Sequence, residues 1–162
     1  MMGAQHLVYD DKVSKAFCAY PNRRTNMYKC IIIPVDLSHT NKGEEMIAKA
    51  KVLADTGASL YLVHVLEPVP AYVEAQVPDA FHSEALKTTR QQLADIARES
   101  GIDLKTQVRS GSPASEILAV AEEAGADLVL IKSHKPGFQD YFLGSTAAKV
   151  VRKAKCSVLV MR

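Results

Sequence analysis

The sequence predicts an α/β domain built on a parallel sheet, and three observations carry that prediction. From Met27 onward, short apolar runs alternate with longer segments of helical period. The run Leu128 to Ile131 is continuously apolar, as in a parallel strand covered by helices on both faces. Gly57, Gly101 and Gly125 each follow a helical segment, where a residue free to turn left-handed stops a helix.

Taken in order, Lys29 to Val35 reads as an apolar strand ending at Pro34-Val35-Asp36. The polar turn LSHTN then offers several N-cap residues for a helix running to about Thr56, with Met46, Ile47, Ala50, Leu53 and Ala54 inward and Gly57 as its stop. Ser59 to Leu66 is a second strand. Glu67 to Asp79 holds three prolines and is long for a connection in such a unit, suiting a lid, a partner-binding loop or a passive crossover. A helix follows from about Ala80 to Ser100. Leu104 to Arg109 alternates apolar and polar residues, as an edge strand with one solvated face does. Ser112-Pro113 announces the next helix, with Ser112 as N-cap, Pro113 first inside, and Ile117, Leu118, Ala121 and Ala124 as its apolar face. After the strand at Leu128 to Ile131, a last helix starts near Ser145 with Ala147, Val150, Val151 and Ala154 on one face, and a strand closes the chain at Ser157 to Met161.

Residues 1–26 do not read like the rest. They lack the continuous apolar core of a secretory signal, and two acidic residues weaken a transit-peptide reading. The expectation is a disordered extension or an unused upstream start, followed by a single domain over 27–162. A chain of 162 residues with 48% hydrophobic content is enough for one core. Outside the first 26 residues the basic and acidic side chains balance at 16 each, so nothing marks nucleic acid as a bulk electrostatic partner. No stretch reaches the length of a membrane span. The widely spaced Cys18, Cys30 and Cys156 contain no CxxC, which favours a reducing, cytoplasmic setting over a disulfide framework or metal site. Cys30 and Cys156 read as small core or edge residues.

The chemistry concentrates near the C-terminus. Gly144-Ser145-Thr146 opens a helix whose first turn carries unpaired backbone N–H groups, two hydroxyls and the positive end of the helix dipole. Such a start is a ready phosphate site, though Gly-Ser-Thr is also ordinary capping chemistry. The segments CIIIPVDLS, YLVHV, RSGSPASEI, LIKSH, LGSTAAKVV and CSVLVMR together resemble the universal stress protein family over Met27 to Arg162. The resemblance implies an adenine-nucleotide α-hydrolase-like fold: a five-stranded parallel sheet of order 3-2-1-4-5 with two helices on each face.

The family signature is Gly-x2-Gly-x9-Gly-[Ser/Thr], and this chain departs from it. With Gly144 as the third glycine, the second falls on His134 or Lys135 and the first on Ile131 or Lys132. The SHKP loop is similar to the SHRP loop of one branch that resembles nucleotide-binding members. Lysines add positive charge near a phosphate chain, but a non-glycine residue in a left-handed conformation costs roughly 1–2 kcal/mol. A different loop path is therefore expected.

In an open α/β sheet, ligands bind at the carboxyl ends of strands where the strand order reverses. By the resemblance this lies between strands one and four. It implies that Asp36 meets the adenine or ribose of ATP, AMP or ADP, that Pro34 and the backbone around Val65 shape the base pocket, and that the Ile131 and Lys132 region with Ser133, His134, Lys135, Gly144, Ser145 and Thr146 surrounds the phosphates. Other roles stand beside these. Asp36 also suits capping of the following turn. His64 reads as a hydrogen-bonded packing residue, His39 as a solvated turn residue, and His134 as either a phosphate contact or a loop-ordering residue. A basic helix end at Lys149, Arg152, Lys153 and Lys155 is explained by the macrodipole alone.

A kinase or NTPase needs a positioned base and a metal carboxylate. The chain has no GxxxxGK[ST], SxxK or GxSxG pattern, and offers only Asp36 and Asp140 as conjectural Mg2+ partners. The leading reading is a cytoplasmic ATP-binding stress-response module rather than an enzyme, with slow hydrolysis or self-phosphorylation incidental. The alternatives are a dimeric interaction module that has lost its nucleotide and an adenylating or ATP-hydrolysing enzyme. The last strand would present unpaired backbone groups with Val158, Leu159, Val160 and Met161, and the resemblance implies a homodimer through that edge.

Overall fold

The computed structural model describes residues 27–38, 43–68, 79–133 and 143–161. The expectations for residues 1–26, His39, His134, Lys135 and Asp140, and for most of the proline-bearing connection, lie outside the described residues. Five strands alternate with four helices: β1 (Tyr28–Pro34), α1 (Glu44–Leu53), β2 (Ala54–Leu66), α2 (Asp79–Glu99), β3 (Leu104–Ser110), α3 (Pro113–Glu123), β4 (Leu128–Lys132), α4 (Ser145–Lys153) and β5 (Ser157–Met161). The strands form one parallel sheet of order β3-β2-β1-β4-β5.

Burial follows from the apolar runs. Ile31, Ile32, Ile33 and Leu128 to Ile131 are buried because helices cover both sheet faces. On one face Ile31, Ile33, Leu62, Leu128 and Leu130 pack with Met46, Ile47 and Ala50 of α1 and Leu93 and Ile96 of α2. On the other, Ile32, Val63, Val129 and Ile131 pack with Ala114, Ile117, Val120 and Ala121 of α3 and Ala147 and Val150 of α4. Each fully buried Ile or Leu contributes on the order of 1.5–3 kcal/mol of apolar transfer.

Several expected details are corrected. The first helix ends at Leu53, three residues before Thr56, and Ala54 already belongs to β2. Gly57 does adopt φ 78, but inside a bulge of β2 rather than as a helix stop: Tyr28 pairs with Ala54 while Cys30 pairs with Ser59. The N-cap of α1 is Gly43, not a residue of LSHTN. Ser112 is the N-cap of α3, yet its side chain makes no capping hydrogen bond. In α4, Val151 faces outward at 46% exposure and Ala154 is already extended, because only Ala147 and Val150 meet the sheet. Lys132 is the last residue of β4, in register with Met161, so a left-handed cost does not arise there.

The β1–β4 junction is the shortest ladder in the sheet. Its registered pairs are Ile31 with Leu128 and Ile32 with Val129. Cys30 points its backbone at β4, since its carbonyl accepts from the Asp127 N–H at 3.0 Å, whereas the Val35 N–H turns to β2 and donates to the Val63 carbonyl at 2.8 Å. By the alternation of a strand, the N–H facing β4 after Ile32 would belong to residue 34. That residue is proline and has none. The two strands therefore part toward their carboxyl ends.

At the opposite end Asp127 holds the junction closed. Its carboxylate accepts from the Lys29 N–H at 2.7 Å and the Cys30 N–H at 2.9 Å, and its carbonyl accepts from the Ser157 N–H at 3.2 Å. Burial, reinforced by the Asp127 charge, pushes the Cys30 thiol up from its ordinary pKa, and burial does the same for Cys156. Both shifts favour the protonated thiol over the reactive thiolate. Replacing Asp127 with Ala strands two strand N–H groups and should lower unfolding free energy by about 2–3 kcal/mol. Urea denaturation checks this; an unchanged midpoint would show that water replaces the clamp.

Candidate nucleotide cleft

Where β1 and β4 part, a cleft of about 350 Å³ opens across the carboxyl edge of the sheet. That volume is near the lower bound of the roughly 300–1,000 Å³ common for small-molecule sites. Its floor comes from strand ends: Pro34, Val35 and Asp36 at the end of β1, Val63 to Val65 in β2, and Ile131, Lys132 and Ser133 at the end of β4. Its walls are helix starts: Gly43 and Met46 of α1, Pro113 and Ile117 of α3, and Gly144, Ser145, Thr146 and Ala147 of α4. Every site residue expected from sequence lines this cleft, apart from His134 and Lys135 outside the described residues.

Three helix N-termini thus meet over one opening. In parallel α/β topology each helix after a strand begins at the carboxyl edge of the sheet, so the positive dipole ends gather there. Gly43 and Gly144 have no side chain with which to cap α1 and α4, and the Ser112 hydroxyl does not cap α3. Among the described residues no N-cap side chain takes up the first-turn N–H groups of these helices, which suits them to water or an anion.

The two glycines serve different ends. Gly43 is left-handed at φ 80, and a Cβ there would sit 2.5 Å from Val35 Cγ1, so the fold itself demands glycine. Gly144 has φ -56, which any residue adopts, and an added Cβ would meet nothing nearer than Ser133 Oγ at 3.8 Å. The lack of a side chain at 144 keeps the cleft open rather than satisfying the backbone.

Individual side chains are already oriented. Ser133 Oγ accepts from the Gly144 N–H at 3.1 Å, joining the end of β4 to the start of α4, while the Ser133 N–H donates to the Met161 carbonyl at 2.8 Å. The hydroxyl keeps a proton of its own that it can donate to a ligand oxygen. Asp36 Oδ1 accepts from the Ser38 N–H at 2.9 Å and the Ser38 hydroxyl at 2.6 Å, so the turn-capping role is present in a residue that also lines the cleft. His64 Nδ1 lies 2.9 Å from the Val35 carbonyl. A carbonyl can only accept, so Nδ1 carries the proton and a neutral ring leaves Nε2 as an acceptor. Lys132 Nζ is 3.2 Å from Glu45 Oε2 in the first turn of α1.

Gly43, Met46, His64, Glu67, Pro113 and Ile117 also line the cleft and were not singled out from sequence as site residues. The available signal was positional: Ser112-Pro113 was legible as a helix start, and helix starts in this topology face the carboxyl edge. Among the described residues no group of three His, Cys, Asp or Glu side chains is arranged to hold a metal ion. No helix among them is long and apolar enough to cross a membrane.

In a sequence comparison the model of the universal stress protein family matches residues 27–162. The chain belongs to the universal stress protein family. Universal stress protein G of Shigella flexneri is 34% identical over 143 residues, spanning 84% of this chain and 100% of the relative. Two solved family structures share the fold. A universal stress protein in complex with cAMP superposes with TM-score 0.60 at 19% identity, covering 84% of this chain and 98% of the other. The universal stress protein from Archaeoglobus fulgidus in complex with dAMP gives 0.57 at 23% identity, with 84% and 99% covered.

Proposed function

We propose that this universal stress protein domain binds an adenine nucleotide, ATP or its mono- and diphosphate, in the cleft between the carboxyl ends of β1 and β4, and that occupancy tunes a dimeric stress-response module. The observation that carries the reading is the convergence of three helix starts without N-cap side-chain hydrogen bonds on a cleft that Pro34, Asp36 and Val65 also line. The phosphates lie over Ser133 and the first turn of α4. The base and ribose lie against Asp36, Pro34 and Val65. Relatives of the same fold solved with cAMP and dAMP support the adenine class. Mg2+ would accompany a triphosphate through the ligand's own oxygens.

One observation favours the second reading, an interaction module without nucleotide. The charged side chains lining the cleft among the described residues are Asp36, Glu67 and Lys132, and Lys132 is paired with Glu45. Two acids and an engaged base receive an anion less readily than the glycine-lined loop of the family signature.

Titration calorimetry with ATP, AMP and GTP separates the two. The reading expects ATP binding that is lost in Asp36→Ala and Gly144→Val, both still folded by circular dichroism, since neither substitution disturbs the core. An empty site at millimolar nucleotide, with none released from denatured protein, would leave the interaction module.

The dimer is proposed through β5, which is an edge of the sheet. Val158 and Val160 pack on the α3–α4 face of the core, whereas Leu159, in the middle of the edge strand, points to the other face and is 37% exposed. A two-fold axis through the strand centre would bring Leu159 near its mate. Leu159→Lys should therefore give monomer in sedimentation velocity; an unchanged dimer would refute this edge as the interface.

A further inference from the structure

Lys132 lines the cleft, but its ammonium is directed away from α4. Leu128, Leu130 and Lys132 share one face of β4, the face covered by α1, and Lys132 Nζ accordingly reaches Glu45 in the first turn of that helix. An ammonium beside a helix N-terminus is opposed by the dipole, so the Glu45 carboxylate is what holds it there. The pair joins the end of β4 to the start of α1, residues 87 apart in sequence, and so spans two of the elements that line the opening. The Lys132 side chain is 27% exposed and that of Glu45 61%, which makes this a weak, exchangeable pair rather than a buried one.

We propose that Glu45 sets the selectivity of the cleft for ligand charge by competing with phosphate for Lys132. This rests on the nucleotide reading above. An adenine nucleotide's phosphate draws the ammonium off Glu45 by swinging its flexible four-carbon stem over the cleft. A ligand without phosphate leaves the pair intact. Lys132 is the one cationic side chain lining the cleft among the described residues, so the exchange adds the positive charge that Asp36 and Glu67 oppose. The cost of breaking the pair falls on every phosphate-bearing ligand and on no neutral one.

Calorimetry with ATP and adenosine at low ionic strength tests this. Glu45→Gln should tighten ATP binding by about two- to fivefold, the worth of an exposed ion pair, and leave adenosine unchanged. Lys132→Met should weaken ATP binding, and in that background Glu45→Gln should bring no gain. A gain that persists in Lys132→Met would show simple repulsion by Glu45 and overturn the exchange; so would an equal gain for adenosine, or ATP binding indifferent to Glu45→Gln. If the parent protein binds neither ligand, the nucleotide reading fails and this inference fails with it.

Discussion

The missing N–H of Pro34 shapes the sheet at the place where function is read. In a parallel ladder every second residue of β1 would donate one hydrogen bond to β4 and accept one, and the residue due to donate after Ile32 is Pro34, which has no N–H. Below that point Asp127 draws β1, β4 and β5 together through backbone and carboxylate bonds. Above it the strands separate, and the space between them is the cleft. Closure at one end and parting at the other are consequences of the same strand pair.

Electrostatics in the cleft are set by main chain more than by side chain. Parallel topology delivers the starts of α1, α3 and α4 to one edge, and their N–H groups supply fixed positive charge that needs no desolvated lysine. The side chains run the other way: Asp36 and Glu67 line the cleft and Glu45 holds Lys132. A phosphate chain would meet a field built by helices and moderated by carboxylates. Such a site discriminates by position, because the helix contribution falls off within the first turn while the side-chain ion pair can be exchanged.

The fold was legible where one physical cause dominated. Ile31 to Ile33 and Leu128 to Ile131 read as buried strands because both sheet faces are covered, and the Ser112-Pro113 start of α3 was placed to the residue. The boundary between α1 and β2 was misplaced because a left-handed glycine suits both a helix stop and a strand bulge, and Gly57 serves the second. Val151 was assigned inward because helical spacing marks a stripe but not its width. The strand-end residues of the cleft followed from the family resemblance. Gly43, Pro113 and Ile117, and the pairing of Glu45 with Lys132, depend on elements meeting across long stretches of chain, which local spacing does not encode.

The central claim is that the parting of β1 and β4 makes an adenine-nucleotide cleft, and residue-resolved amide shifts during an AMP titration test it most directly. The account predicts perturbations at Val35, Asp36, His64, Val65, Ser133 and Gly144 to Ala147, with the Asp127 clamp and strand β3 silent. Saturable shifts confined to α2 and β3, or none at millimolar AMP, would contradict it.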